Sequence, residues 1–307
     1  MFPAALLAKL EEHLSKPIGS YFDLIAGTST GGIIAIGLGL GFTAKEIMAF
    51  YEEHGPSVFD QQHGRLENAI RRRLRGALHW VNSRYSSQPL QEALIEILRD
   101  RKLGESQTRL LIPAWHPVLE RVHLYKTAHH PRFETDYENL AVDVAMATAA
   151  APTFFPPHIT TDAVELIDGG VWANNPIGVA VVEAVGTLNW PRDRLKILSI
   201  GTASDAQGSP LLHGKLTMAT SLARLFFASQ SHGALGAAKI LTGHGHNHKA
   251  IWRVDQSAPR GRYTMDDTAR LAGLKNRAFT EAREQLPELR RHFFDRLAEP
   301  FCPFYSP

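Results

Sequence analysis

Short apolar runs alternate with longer helical segments through the first two hundred residues. A strand is expected directly before Gly27, and later apolar runs predict strands at 109–112, 122–125, 163–167 and 195–200. Helices are predicted between them, at 1–14, from 33 to about 37, at 44–54, from Ser87 onward and at 140–151. Strands that alternate with helices indicate a largely parallel sheet covered on both faces. We therefore expect an α/β protein with three layers, α/β/α, and a mostly parallel central sheet.

The pattern weakens after Ala203. A loop rich in Gly and Ser follows, then an apolar helix around 216–228 and a helical tail at 271–286 and 288–297, which Pro287 divides. We expect residues 1–202 to form a catalytic core and residues 203–307 to form a helical extension packed on the same domain.

Two apolar segments near the N-terminus bear on membrane insertion. Residues 1–14 carry Lys9 and Glu11 among regularly spaced apolar residues, which is typical of an amphipathic helix and not of a signal peptide. Residues 24–42 contain no charged side chain and are long enough to span a bilayer. Six glycines fall within this stretch, so a buried strand followed by a buried helix explains it better than a membrane span.

The centre of that stretch has the pattern of a nucleophile elbow, Gly27-Thr28-Ser29-Thr30-Gly31. A serine on a tight turn between strand and helix adopts a strained backbone, so its neighbours two residues away must be small. The turn places the hydroxyl at the positive end of a helix, where negative charge is stabilised. The alternative is a glycine-rich turn with a purely structural role.

A serine hydroxyl needs a base to become a nucleophile. The 15 histidines offer candidates for a triad, but fewer than thirty residues precede Ser29, too few for the strands that come before the elbow of an α/β-hydrolase. A carboxylate is the other candidate. Asp168 ends an apolar strand and precedes Gly169 and Gly170, which places it in a loop at the ligand side of the sheet.

The amino-acid composition bears on which partners the protein can bind and in which compartment it works. Lys and Arg total 33 against 31 Asp and Glu, so no overall field favours nucleic acid, and we expect no DNA or RNA partner. Cys302 is the only cysteine, which excludes an internal disulfide and a cysteine-ligated zinc site and suits a reducing cytoplasm. We expect a cytoplasmic protein without a metal or other cofactor.

Several motifs together resemble the patatin-like phospholipases. The resemblance covers Met1 to about Thr202 and rests on Asp23-Leu24-Ile25-Ala26-Gly27-Thr28-Ser29-Thr30-Gly31-Gly32, Ser86-Ser87-Gln88-Pro89-Leu90, Ala149-Ala150-Ala151-Pro152-Thr153-Phe154-Phe155, and Asp168-Gly169-Gly170 with Asn174-Asn175-Pro176. It implies that Ser29 is the nucleophile and Asp168 the base of a catalytic dyad. The implied substrate is a membrane glycerophospholipid, from which an acyl-enzyme forms and water releases the fatty acid.

One expected motif of that family is absent. Family members carry a D-G-G-G-x-R-G segment after a first strand, and its backbone N–H groups form the oxyanion hole. The segment would stand immediately before the residues that match Met1 to Leu7, so the first strand and the oxyanion loop are expected to be missing, and Thr30 N–H remains as a donor. We favour a misassigned or truncated start. The hypothesis from another class is a catalytically impaired protein that senses or binds a ligand.

A narrower resemblance concerns regulation. Four segments look like those of the patatin effectors of bacterial CBASS anti-phage systems: Ile112-Pro113, Lys126-Thr127-Ala128-His129-His130-Pro131, Ala147–Phe155 with His158, and Ile197–Thr202. The resemblance implies activation by a cyclic dinucleotide, such as cyclic GMP-AMP, and peripheral contact with the inner membrane; a homo-oligomer is left open. Candidate sites for the activator are the segment after Ala203 and the cluster Arg71, Arg72, Arg73 and Arg75, for which a solvated helix face is the alternative.

The remaining histidines and tryptophans indicate packing more than chemistry. His244, His246 and His248 alternate as metal ligands on a strand would, but no acidic partner is nearby, so a polar loop is the better interpretation. Trp115, Trp172 and Trp252 are expected to pack in the core or at its rim and not to anchor lipid.

Overall fold

A computed structural model describes most of the chain. The described residues are 1–59, 83–202, 204–205, 215–245, 248–255, 257–258 and 270–307, with side chains left out at 204–205, 215–224 and 257–258. The arginine cluster at 71–75 and most of the segment directly after Ala203 lie outside the described residues.

Helices and strands alternate as the apolar pattern predicts. The α-helices are α1 (Phe2–Glu11), α2 (Thr30–Gly39), α3 (Ala44–Phe59), α4 (Gln88–Leu98), α5 (Ala141–Ala149), α6 (Gly170–Ala173), α7 (Ile177–Val182), α8 (Lys215–Thr242) and α9 (Leu271–Phe293). The strands are β1 (Leu24–Ala26), β2 (Arg109–His116), β3 (Arg121–Lys126), β4 (His158–Ile159), β5 (Glu165–Asp168), β6 (Ile197–Ile200), β7 (Ser204–Asp205), β8 (Ile251–Val254) and β9 (Ser257–Ala258). The α/β class is confirmed, and the arrangement agrees with three layers.

The main sheet is mixed, where we expected it to be mostly parallel. β1 runs parallel to β2, but β3 and β5 run antiparallel to β2, and β4 runs antiparallel to β5. The short turn between β2 and β3 accounts for one antiparallel pair, because a connection of four residues is too short for the crossover that parallel strands require. Parallel pairs recur in two small sheets, β6 with β8 and β7 with β9.

The register of β2 places β1 and β5 end to end on one edge. Leu111 and Ala114 each pair with β3 on one side, while on the other side Leu111 pairs with Ala26 and Ala114 pairs with Asp168. β1 therefore runs up the edge of β2 toward Asp168, and β5 runs down the same edge toward β1. The C-terminal ends of these two strands face each other across the level of Pro113.

Helix α1 is more deeply buried than an amphipathic helix on a surface. Phe2, Leu6, Leu7 and Leu10 are all at most 5% exposed, because α1 packs against both α3 and α9. Full burial of each such side chain contributes roughly 1.5–3 kcal/mol to folding. The C-terminal segment therefore shares a hydrophobic cluster with the N-terminal helix.

The helical tail is one helix, and the division expected at Pro287 is wrong. Pro287 lies inside α9, where the missing N–H leaves the carbonyl of Arg283 without its helical partner and costs about 3 kcal/mol. Leu289 and Phe293, beyond the proline, are 0% and 7% exposed in the cluster with α1. Burial of two large side chains offsets the proline penalty, so the helix continues.

Among the described residues, no helix combines the length and the apolar character that crossing a bilayer requires. The uncharged stretch 24–42 divides instead into β1, the turn at Ser29 and helix α2. Its isoleucines and glycines from 32 to 39 are buried against the rest of the fold. The expected buried strand and buried helix are thus confirmed.

Candidate active site

Ser29 occupies a strained turn between β1 and α2. Its backbone has φ 58° and ψ −131°, and it is the N-cap residue of α2. A positive φ in a residue with a Cβ atom costs about 1–3 kcal/mol and persists only where the surrounding structure enforces it. The elbow expected from the sequence is therefore present as a backbone conformation.

Of the two glycines that flank this turn, only Gly27 is required by packing. A Cβ atom on Gly27 would lie 2.0 Å from the carbonyl oxygen of Gly31, whereas a Cβ atom on Gly31 would meet nothing within 4 Å. The expectation that both positions must be small is therefore wrong for Gly31 as far as the protein itself is concerned. Gly31 lines the open cleft beside Ser29.

The hydroxyl of Thr148 holds the turn in place. The N–H of Ser29 donates to Thr148 Oγ1 over 3.1 Å, and the Thr148 hydroxyl donates to the carbonyl of Pro113 over 2.6 Å. Thr148 is fully buried on α5. One side chain thus ties the nucleophile turn to β2 and satisfies two buried backbone groups.

Thr28 and Tyr51 add two further ties. The Thr28 hydroxyl donates to the carbonyl of Ala173 over 2.7 Å, which connects the elbow to the short helix after Asp168. The Tyr51 hydroxyl donates to the carbonyl of Thr30 over 2.7 Å. Burial raises the pKa of Tyr51 far above its ordinary value, so the phenol stays a neutral donor.

Asp168 reaches Ser29 from the opposite direction. Asp168 is 4% exposed, its N–H donates to the carbonyl of Ala150, and its Oδ1 accepts the N–H of Gly170 over 2.6 Å. The Ser29 side chain lies close enough to this carboxyl group to lower its pKa, and both residues line the same cleft. The structure brings the two predicted residues together at the junction of β1 and β5.

Gly169 permits this approach. A Cβ atom on Gly169 would lie 2.3 Å from the carbonyl oxygen of Pro113 and 2.4 Å from its carbonyl carbon. No L-residue with a side chain fits there without a backbone shift, because backbone atoms cannot rotate away. Gly170 is less restricted, since its Cβ atom would lie 3.1 Å from Asp168 Oδ1.

The environment of Asp168 favours its neutral form. Burial raises the pKa of Asp168 from 3.8 to about 6, although the nearby Ser29 side chain and the hydrogen bond from the Gly170 N–H lower it. Desolvation dominates because no cation among the described residues offsets it. A carboxylate with a pKa near 6 is ionised at neutral pH and is a stronger base than an ordinary aspartate.

The pair opens into a large cleft of about 2310 Å³. β1 and β6 line two of its walls, and Ser29, Thr30, Gly31 and Asp168 lie in it. The N–H of Thr30 has no hydrogen-bond partner among the described residues, and it stands at the positive N-terminus of α2. An oxyanion that forms on a bound ester beside Ser29 would find a donor here.

The buried histidines His129 and His158 hydrogen-bond to carboxylates away from Ser29. His129 Nε2 hydrogen-bonds Glu183 over 3.1 Å, and His158 Nε2 hydrogen-bonds Asp143 over 2.8 Å. Neither His129 nor His158 lines the cleft. Both pairs tie strands or loops to helices, which is a structural role.

His244 and two of the tryptophans also have structural partners. His244 Nδ1 accepts the N–H groups of Ala250 and Ile251, which stabilises the loop before β8, while His246 lies outside the described residues. Trp172 Nε1 donates to the carbonyl of Ala114. Trp252 is 6% exposed and packs against Phe293. These contacts agree with the expectation of packing for those residues.

The sequence reasoning missed Thr148. A signal was present, since Thr148 is one of two polar residues, with Asp143, within the apolar helix Ala141–Ala149. A buried polar side chain in such a helix needs a partner. The identity of that partner, the N–H of Ser29, depends on a contact between residues 119 positions apart.

A family model described as "Patatin-like phospholipase" matches residues 2–181, more than half of the chain. The chain belongs to the patatin-like phospholipase family. In this patatin-like chain, the matched segment contains Ser29, Thr148 and Asp168 together with β1–β5. The resemblance inferred from the motifs is therefore confirmed.

Similar proteins occur in bacteria and plants. A "cGAMP-activated phospholipase" of Pseudomonas aeruginosa is 38% identical over 204 residues, which cover 66% of this chain and 58% of that protein. One of Vibrio cholerae with the same name is 33% identical over 220 residues, 67% of this chain and 61% of that protein. "Patatin-like protein 2" of rice is 35% identical over 202 residues, 57% of this chain and 47% of that protein. The chain thus spans about three fifths of the length of these bacterial relatives.

Proposed function

We propose that this patatin-like chain is a serine lipid acyl hydrolase that releases fatty acids from membrane glycerophospholipids with a Ser29–Asp168 dyad. The observation that carries the proposal is the position of the Ser29 side chain beside a buried carboxyl group, that of Asp168, whose pKa is raised to about 6. The strained elbow supports it, because strain of this kind clusters at functional sites.

Each residue of the site has a role in the proposed reaction. Asp168 accepts the proton of the Ser29 hydroxyl as Oγ attacks the acyl carbonyl carbon and forms a tetrahedral oxyanion. The N–H of Thr30 and the N-terminus of α2 stabilise that oxyanion. The intermediate collapses to an acyl-enzyme, and Asp168 returns the proton to the departing alcohol oxygen of the lysolipid. Water then attacks the acyl-enzyme carbonyl carbon and loses a proton to Asp168. As the bond between the acyl carbon and Ser29 Oγ breaks, Asp168 returns that proton to Oγ, which releases the fatty acid and restores the Ser29 hydroxyl.

The substrate and the activator come from family membership and relatives. Three relatives carry the name "cGAMP-activated phospholipase", which supports a phospholipid substrate and activation by a cyclic dinucleotide. The protein would act as a cytoplasmic hydrolase that contacts the membrane peripherally when the activator is bound. The division into a core at 1–202 and an extension at 203–307 remains a prediction.

The test is fatty-acid release from phosphatidylcholine vesicles, measured with and without cyclic GMP-AMP. Ser29→Ala removes the nucleophile and Asp168→Asn removes the base, so each variant is expected to lose at least about 10³-fold in kcat/KM. The matched controls are Ser57→Ala and Asp100→Asn, which change the same residue types at exposed positions.

Three outcomes separate the parts of the proposal. Loss in both dyad variants with full activity in both controls supports the mechanism. Activity in either dyad variant equal to the unmodified protein contradicts the dyad, and no release under any condition contradicts the hydrolase assignment. Equal activity with and without cyclic GMP-AMP contradicts only the activation.

A further inference from the structure

Two neighbouring hairpins project beyond the catalytic residues. β2 and β3 are joined by the turn 117–120, and β4 and β5 are joined by the turn 160–164. Asp168 pairs with Ala114 in an antiparallel ladder, so continuing that register sets Glu165 level with residue 117. Both turns therefore end at a similar height above the site.

Large apolar side chains are exposed on these hairpins. Val118 is 67% exposed, Leu119 53%, Val122 52% and Ile159 65%. Soluble proteins tolerate single exposed apolar residues, but a group of them at a common edge marks an interaction site. The turn residues Val118 and Leu119 lie at the tip, where no ladder of the sheet covers them.

The strand register adds two residues to this group. Val122 pairs with Trp115, and Trp115 pairs with Ile167 across the next ladder. Paired residues share a face of the sheet, and so do residues two apart along a strand, which places Ile159, the partner of Glu165, on this face as well. Trp115 and Ile167 are half-buried. We call the six residues Val118, Leu119, Val122, Trp115, Ile167 and Ile159 the apolar hairpin surface.

The opposite face of the same strands carries the buried site. Asp168, Leu166 and Ala114 are at most 4% exposed, and His158 is 9% exposed. The apolar hairpin surface therefore belongs to the outer face of the sheet and to its upper edge. None of its six residues lines the cleft beside Ser29.

From this placement, and on the basis of the proposed function, we propose that the apolar hairpin surface is the part of the protein that inserts into the lipid bilayer. Ser29 and Asp168 are level with Pro113 and Ala114, and the tip is four to five residues further along, about 13–16 Å at 3.3 Å per residue. Interfacial elements enter a membrane to a depth of about 5–10 Å. The site would then lie within about 10 Å of the membrane surface.

Charge near the tips favours an electrically neutral partner. Glu120 and Asp162 are exposed there together with Arg121, and Glu165 is half-buried. Among the described residues at the tips, three acidic side chains accompany one arginine, so they form no basic patch for anionic headgroups. From the sequence, Trp115 was expected to pack and not to anchor lipid; in this proposal its half-buried ring lies instead at the membrane interface, where such amphipathic rings are enriched. The surface is therefore expected to bind zwitterionic phosphatidylcholine, with little dependence on salt.

The experiment compares vesicle binding with catalysis in solution. Val118→Ser with Leu119→Ser is expected to weaken binding to phosphatidylcholine vesicles in a flotation assay about 100-fold, since losing the burial of each side chain costs about tenfold. Hydrolysis of a soluble short-chain p-nitrophenyl ester should stay within about twofold, because the tip lies away from the reacting groups. Ser29→Ala should bind vesicles like the unmodified protein but hydrolyse neither substrate.

Ile240→Ser is the matched control. Ile240 is 81% exposed on α8, nine residues or about 14 Å along the helix beyond Ser231, which contacts Asn175 near the site. The proposal requires that this variant bind vesicles normally. Unchanged vesicle binding by the hairpin double variant overturns it, as does an equal loss in Ile240→Ser. A shift of the double variant from dimer to monomer in light scattering, with vesicle binding intact, also overturns it and assigns the surface to a second copy of the chain.

Failure of the proposed function would look different. Vesicle binding that depends on the hairpin tip, in a protein that hydrolyses neither ester, contradicts the hydrolase assignment and supports the membrane surface. Hydrolysis of both substrates with unchanged binding by the double variant contradicts the membrane surface and leaves the hydrolase assignment intact.

Discussion

Replacing Asp168 with asparagine should stabilise the fold while it abolishes catalysis, and the stabilisation should depend on pH in a defined way. The pKa of Asp168 is about 6 in the fold against 3.8 for an ordinary aspartate. The folded state therefore holds its proton at pH values where the unfolded chain has lost it. Such a group destabilises the fold as the pH rises, since the ionised form is the less favourable one when buried.

The size of the effect follows from the two pKa values. Below the unfolded value of 3.8 the carboxyl group is neutral in both states, so Asp168→Asn changes little. Between 3.8 and about 6, the unmodified protein loses about 1.4 kcal/mol per pH unit relative to the variant. Above about 6 the difference is constant at about 3 kcal/mol. The asparagine Oδ1 can still accept the Gly170 N–H, so that contact is retained in the variant.

The assay is urea unfolding of both proteins at about six pH values from about 3.5 to 8, with the difference in free energy of unfolding plotted against pH. In parallel, kcat/KM of the unmodified protein should fall about tenfold per pH unit below about 6, because only the ionised carboxylate acts as a base. A difference in stability that is constant across this range, or that decreases as the pH rises, would refute the burial argument. A hydrolysis rate with its midpoint near pH 4 would refute it independently.

Two further predictions concern the contacts around the elbow. Thr148→Val leaves the Ser29 N–H and the Pro113 carbonyl without a partner, so we expect it to lower the free energy of unfolding by about 2–6 kcal/mol and kcat by about 10²-fold, with little change in KM. Thr148→Ser keeps the hydroxyl and should restore both stability and kcat. Equal behaviour of the two variants in urea unfolding and kinetics would contradict the role of the hydroxyl. Gly169→Ala forces a Cβ atom against the Pro113 backbone and should lower the free energy of unfolding by roughly 3 kcal/mol. Gly31→Ala adds a Cβ atom in open space at the start of a helix, so it should leave stability unchanged or raise it by up to about 1 kcal/mol. Thermal unfolding of the two variants compares these effects directly.

The fold could be predicted from the sequence wherever local signals decide it. Apolar runs located β2, β3, β5 and β6 to within a few residues, and the motif around Ser29 predicted a turn that the backbone at φ 58° confirms. Local signals failed where packing overrides them. Pro287 predicts a helix break that burial of Leu289 and Phe293 prevents. The polar residues of α1 predicted a helix with one exposed face, whereas α3 and α9 both pack against it.

The candidate site was predicted in its chemistry but not in its geometry. Ser29 and Asp168 were identified from motifs and from their positions at strand ends. The sequence predicted a mostly parallel sheet with Asp168 at its ligand side, whereas β1 and β5 run in opposite directions along β2, with their C-terminal ends facing each other. A sequence states where strands begin and end, but the direction in which a strand enters a sheet depends on partners far along the chain.

By itself, then, the sequence determined which side chains are the candidates for catalysis and which local conformation each one adopts, because glycine spacing, strand length and apolar runs act over a few residues. Only the tertiary structure decided how strongly Asp168 is desolvated, that Thr148 supports the Ser29 N–H, and that Gly169 is required by the carbonyl of Pro113. Those properties arise from contacts between segments separated by tens of residues or more. They are set by the register of the strands and the burial of their faces, which no local pattern specifies.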